Sequence, residues 1–164
     1  MTTLGESGRG APGPAPCEVH ETASPEETER LGASLAKSLG PGDILGLVGD
    51  LGAGKTCFVR GLVAGLGIKA HVKSPSYTLL NIYESGGMAM YHMDLYRLGS
   101  EDDFFEAGLE EYIYSGGISV IEWADKFSAL LDRCTLVVRF YHLHGSGRRI
   151  SIEDQRRRVG SKGA

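Results

Sequence analysis

The segment Gly49-Asp50-Leu51-Gly52-Ala53-Gly54-Lys55-Thr56 fits the pattern G-x-x-x-x-G-K-[ST]. Few short patterns constrain a fold so tightly. The glycines let the backbone turn close enough for successive amides to face an anion, which requires a strand to deliver the loop and a helix to leave it. Both flanks comply. Residues 43–48 (DILGLV) form an apolar run that reads as a buried strand. Over 56–66, Val59, Leu62, Val63 and Leu66 recur with helical spacing, and Gly67 ends the pattern. The unit predicts nucleoside triphosphate binding, with Lys55 reaching the β- and γ-phosphates and Thr56 offering its hydroxyl to Mg2+.

The rest of the chain alternates in the same way. Ser24-Pro25-Glu26-Glu27 starts a helix, with Ser24 as N-cap, Pro25 in the first turn and Glu27 at the capping-box position. Leu31, Leu35, Ala36 and Leu39 share its apolar face, and Gly40-Pro41 stops it. Residues 78–83 and 88–93 read as a hairpin around Glu84-Ser85-Gly86-Gly87. A helix is expected from Ser100 to about Tyr114, a short apolar strand over 118–121, and a helix-like stretch over 123–131. Residues 135–143 and 149–152 make a final antiparallel pair. The expected fold is α/β: a single P-loop NTPase domain with a mainly parallel sheet, antiparallel hairpin additions and helices on both faces.

Composition sets the limits. The 164 residues hold 17 basic and 21 acidic side chains, a net charge of −4, which excludes a strongly basic nucleic-acid binder. No window approaches the roughly 18 apolar residues of a membrane span, and no secretory leader pattern opens the chain. Three scattered cysteines, without a C-x-x-C pair, fit a reducing cytoplasm and no zinc site. Residues 1–16, rich in Gly and Pro, are expected to be a disordered tail. Residues 17–153 are the expected domain, and 154–164 a basic tail, more often a solvated terminus than an RNA contact.

A phosphate loop needs a further acid for Mg2+, usually at the end of an apolar strand. Two acids qualify, Glu122 after 118–121 and Asp94 after 88–93, and the residues alone leave open which touches the metal. Lys73-Ser74-Pro75-Ser76-Tyr77-Thr78 lies where a γ-phosphate-sensing switch would sit. His92 alternates with Tyr91 and Met93, as a packed or hydrogen-bonded histidine would. His142 and His144 read as a surface pair, and the acidic run from Glu101 to Glu111 as a solvated helix face. Tyr96-Arg97 fits a structural role and one that presents Arg97 to phosphate or to a partner protein equally well.

Taken in order, GDLGAGKT, VKSPSYTL (72–79), YHMDLYRL (91–98) and IEW (121–123) resemble the TsaE (YjeE) family, the ATPase component of the bacterial machinery that makes threonylcarbamoyladenosine on tRNA beside the anticodon. The resemblance implies that Gly52, Ala53, Gly54, Lys55, Thr56 and Cys57 cradle the ATP phosphates. It implies Thr56 and Glu122 as Mg2+ ligands, with Asp94 a further acid beside the metal or the attacking water. Trp123, the Ser24-Pro25 helix start and Arg148 would lie near the nucleotide, and Ser74, Ser76 and Thr78 in the switch-like loop. Ser76 stands where the family usually has Thr, and Cys57 where a second Thr is common. The resemblance further implies partner proteins like TsaD and TsaB, which would hold the tRNA. A small-molecule kinase on the same fold, or a module that binds ATP without hydrolysing it, are the competing readings.

Overall fold

A computed structural model describes residues 13–162. The chain runs β1 (Cys17–Thr22), α1 (Pro25–Ala36), β2 (Ile44–Val48), α2 (Lys55–Gly65), β3 (Leu80–Ser85), β4 (Met88–Asp94), α3 (Glu101–Glu106), α4 (Glu110–Ile113), β5 (Ile118–Glu122), a 3-10 turn (Ala124–Lys126), α5 (Ser128–Leu131), β6 (Leu136–His142), β7 (Arg148–Asp154) and α6 (Arg156–Lys162). The strands form one sheet in the order β1-β7-β6-β2-β5-β4-β3. β6, β2, β5 and β4 are parallel, and antiparallel pairs flank them on both sides. This is the expected single α/β domain. β2 and β5 are apolar and buried along almost their whole length, as strands covered on both faces must be.

Alternation along the strands sorts side chains to two cores. Ile118 and Val120 of β5, with Met90 of β4, face α1 and α2, where Phe58, Val59, Leu62 and Val63 pack. Ile121 and Met93 face the other way, toward Phe104, Leu109, Ile113, Phe127 and Leu130. Asp94 and His92 follow Met90 at two-residue steps, and Glu122 follows Val120, so all three belong to the α1–α2 face. β2 lies between β5 and β6, and the sheet order reverses there. In open α/β sheets, ligands bind beyond the carboxyl ends of the strands at such a point.

Several local expectations hold. The Ser24 side chain accepts from the Glu27 amide at 3.2 Å and Pro25 opens α1. Gly86 and Gly87, both at positive φ, make the two-residue hairpin turn. Others are corrected. The helix expected from Ser100 breaks into α3 and α4 around Gly108, which adopts φ +71°. The stretch 123–131 is likewise a 3-10 turn followed by the four residues of α5. β1 was not foreseen at all. Of the expected N-terminal tail, 1–12 lie outside the described residues. The 154–164 stretch is in part built into the fold: β7 runs to Asp154, and Arg156 clamps that carboxylate at 2.6 Å while donating to the Ser38 carbonyl at 3.0 Å.

Candidate functional site

β2 ends at Val48 and the chain turns through Gly49–Gly54 into α2, using positive φ at Gly52 (+75°) and Gly54 (+103°). Gly54 is the N-cap and offers no side-chain cap. The amides of the first turn, including those of Lys55, Thr56 and Cys57, therefore have no helical carbonyl to donate to. Thr56 and Cys57 are half-buried. Two contacts hold the loop from outside. Arg148 donates to the carbonyls of Ala53 and Gly52 at 3.1 and 3.0 Å. Thr28, whose hydroxyl is 2.8 Å from that of Thr22, brings its methyl within 3.6 Å of where a Cβ on Gly54 would stand. Thr28 lies one turn into the helix that Ser24 and Pro25 open, so the sequence-predicted helix start does approach the loop.

Lys55 is 6 % exposed. Its Nζ donates to the carbonyl of Gly49, lies 3.4 Å from that of Asp50, and sits 3.9 Å from the centre of the Trp123 ring. Burial lowers its pKa, and the negative charges of Glu122, Asp94, Asp125 and Asp50 oppose that shift. Trp123 holds its position with a left-handed backbone (φ 60°), a conformation that costs a non-glycine residue about 1–2 kcal/mol. Its other ring contact is Tyr96, at 5.0 Å.

The two acids stand side by side. Asp94 and Glu122 are paired at the carboxyl ends of β4 and β5, and Leu47 of β2 pairs with Glu122 on the other side. Both are buried, yet they are held differently. Asp94 Oδ2 is 3.3 Å from the hydroxyls of Ser74 and of Ser76, and Oδ1 accepts from the Tyr96 amide at 2.9 Å. Glu122 Oε1 is 3.0 Å from Nε2 of His92. The donors near the loop, the Thr56 hydroxyl and these carboxylates, are all oxygens and suit a hard cation such as Mg2+. Among the described residues no cluster of three or more His, Cys, Asp or Glu would hold a metal alone.

The sequence model of the family described as "Threonylcarbamoyl adenosine biosynthesis protein TsaE" matches residues 22–150. The chain belongs to the TsaE family. It is 41% identical over 129 residues to the tRNA threonylcarbamoyladenosine biosynthesis protein TsaE of Treponema pallidum, covering 79% of this chain and 95% of that protein. The Bacillus subtilis TsaE is 42% identical over 120 residues, 72% of this chain and 75% of its relative. The crystal structure of Bacillus subtilis YdiB superposes with a TM-score of 0.74 at 33% identity, covering 90% of this chain and 91% of that one. The family places the chain in tRNA threonylcarbamoyladenosine biosynthesis.

Most sequence-predicted residues of this TsaE-family chain converge on the carboxyl ends of the parallel strands: the phosphate loop, Lys55, Asp94, Glu122, Trp123, Arg148, Ser74 and Ser76. Thr78 does not join them; its hydroxyl donates to Asn81 instead, at 3.3 Å. His142 and His144 are both exposed. Arg97 rests on the exposed ring of Tyr77, 4.0 Å from its centre. Sequence reasoning missed the bond from His92 to Glu122 and the role of Thr28. A histidine two residues before the end of one strand and an acid at the end of another are a signal for the first, but only the strand register joins them. Among the described residues no helix is long and apolar enough to cross a membrane.

Proposed function

We propose that the chain is a slow, Mg2+-dependent ATPase whose cycle serves the proteins that form threonylcarbamoyladenosine on tRNA. The observation that supports this most is the convergence of Lys55 with the paired acids Asp94 and Glu122, from three separate stretches of sequence, beside a glycine-rich loop capped by open amides. The amides of 52–57 hold phosphate oxygens, that of Ala53 first leaving the Asp50 carbonyl it donates to at 3.1 Å. Lys55 leaves the carbonyls of Gly49 and Asp50 and takes up negative charge on the β- and γ-phosphates. Thr56 and Glu122 hold the cation, which neutralises phosphate charge when bound. Asp94 orients the attacking water. Ser24, Pro25, Arg148 and Trp123 flank the nucleotide, with Arg148 keeping the loop in shape through the carbonyls of Gly52 and Ala53.

The bonds of Ser74 and Ser76 to Asp94 make the 74–78 segment responsive to the site. When Asp94 turns toward water or metal, those hydroxyls are released, and the loop outside them changes its surface. TsaD- and TsaB-like proteins are the partners that read this change, and they rather than this acidic chain hold the tRNA. An ATPase with no outside help turns over at about 10⁻⁴–10⁻² per second. The test is steady-state hydrolysis by the purified chain, with Lys55→Ala as blank, alone and then with the TsaD- and TsaB-like proteins and tRNA. Slow turnover that rises or becomes tRNA-dependent with the partners is the expected result. Brisk turnover indifferent to them would sink the proposal in favour of a small-molecule kinase.

A further inference from the structure

Behind the two acids lies a histidine that the proposed chemistry leaves idle. His92 is fully buried on β4, two residues before Asp94 and opposite Val120 of β5. Its Nε2 reaches diagonally across the strand pair to Oε1 of Glu122 at 3.0 Å, and Glu122 is itself 3 % exposed. Its Nδ1 has no hydrogen-bond partner among the described residues. The Tyr83 ring lies 6.2 Å away, centre to centre.

A carboxylate oxygen only accepts, so the proton in that bond belongs to Nε2. The geometry thus points Nε2 at Glu122 and leaves Nδ1 facing the core without a partner among the described residues. An apolar side chain would fill the same space without stranding a nitrogen, and buried polar atoms without partners are rare enough to need a reason. The reason is at the other end of the ring. Oε1 of Glu122 is engaged, and Oε2 has no protein partner among the described residues.

We infer that His92 is a positioning residue, whose Nε2–H clamps one oxygen of Glu122 and so presents the other to the cation at the phosphate loop. The inference rests on the Mg2+-ATP reading of the site. It also divides the labour between the acids. Asp94 is tied to hydroxyls of a surface segment and can be released with it, whereas Glu122 is tied to the core and stays put. Partners that orient a metal ligand in this way typically matter 10–100-fold, to an order of magnitude, in metal affinity or activity.

Three variants and one spectrum test it. His92→Leu keeps the bulk without the donor, His92→Gln keeps an N–H of similar reach, and Glu122→Gln removes the carboxylate. A non-hydrolysable ATP analogue is titrated by calorimetry across a series of Mg2+ concentrations, and the imidazole nitrogens of the nucleotide-free chain are read by 15N NMR. Expected are a proton on Nε2, and a Mg2+ midpoint raised about 10–100-fold in His92→Leu with Mg2+-free affinity unchanged. The Gln variant recovers most of the loss, and His92→Leu adds nothing in the Glu122→Gln background. A folded Leu variant with the wild-type Mg2+ midpoint, or an Nε2 without a proton, overturns the inference. If His92→Leu does not fold, ring signals indifferent to Glu122→Gln overturn it as well. A wild-type chain that binds the analogue without any Mg2+ dependence overturns the reading of the site itself, whatever the ring nitrogens show.

Discussion

The two faces of the sheet are covered by different kinds of helix. On one face α1 and α2, of 12 and 11 residues, meet backbone to backbone. A Cβ on Gly61 would stand 1.9 Å from the Glu29 carbonyl oxygen, one on Gly32 2.3 Å from that of Phe58, and one on Gly65 2.5 Å from that of Ala33. On the other face the cover is made of short pieces, α3, α4, the 3-10 turn and α5, each plugged in by one or two side chains such as Phe104, Leu109, Ile113 and Leu130. Lys55, Asp94, Glu122 and His92 all belong to the first face. The stiff seam carries Lys55 and backs the strands that bear the other three, because moving α2 against α1 means moving main chain.

This contrast is open to attack in four ways, taken here from the largest effect on stability to the smallest. Gly61→Val forces the seam apart and is expected to cost more than about 3 kcal/mol, with ATP affinity falling alongside. Urea denaturation and calorimetry measure both. Leu109→Ala, on the plugged face, is expected to cost about 2–3 kcal/mol and leave ATP affinity unchanged. If it weakens nucleotide binding as strongly as it weakens the fold, the two faces are not separable.

Lys55→Met sharpens the comparison in the other direction. Affinity for ATP should fall on the order of 100-fold, the worth of charge-assisted hydrogen bonds. The nucleotide-free chain should melt at a higher temperature, because the wild type buries an ammonium. Burial lowers the folded pKa below the ordinary 10.5, so across the window between them the unfolded chain binds more protons. Wild-type stability therefore rises with pH through that window and the Met variant lacks the rise, which melting curves from neutral to alkaline pH would reveal. The smallest effect belongs to the far edge of the sheet. Arg156 holds the Asp154 carboxyl below its ordinary range, so that increment is present above the unfolded pKa and is lost as pH falls through the folded one. Asp154→Asn should cost less than about 1 kcal/mol, because the pair is well exposed, and should free α6 to faster amide exchange.

What could be read from sequence depended on how local the cause was. The phosphate loop, the capped start of α1 and the Gly86-Gly87 turn are set by residues within a few positions of each other, and they were legible. The seam was written in the sequence as Gly61 and Gly65 on one helix facing Gly32, Ala33 and Ala36 on the other, but the apolar spacing of Val59, Leu62 and Val63 drew attention first. β1 carries a weak pattern, with most of its side chains exposed, and exists because β7 pairs with it across about 130 residues. The clamp of His92 on Glu122 depends on the register of two strands 30 positions apart. A helical period likewise gave no warning that Gly108 would take a left-handed turn.

Trp123 is the chain's single tryptophan, and its ring lies against the Lys55 amine, which under the proposed function leaves when phosphate arrives. Removing a cation from the face of an indole changes its emission, so under the proposed function the protein would carry its own optical gauge of loop occupancy. No dye or label competes with that signal, and no second indole dilutes it. Every rate in the proposed cycle that begins or ends with Lys55 changing place would thereby be open to stopped-flow fluorescence on the unmodified chain.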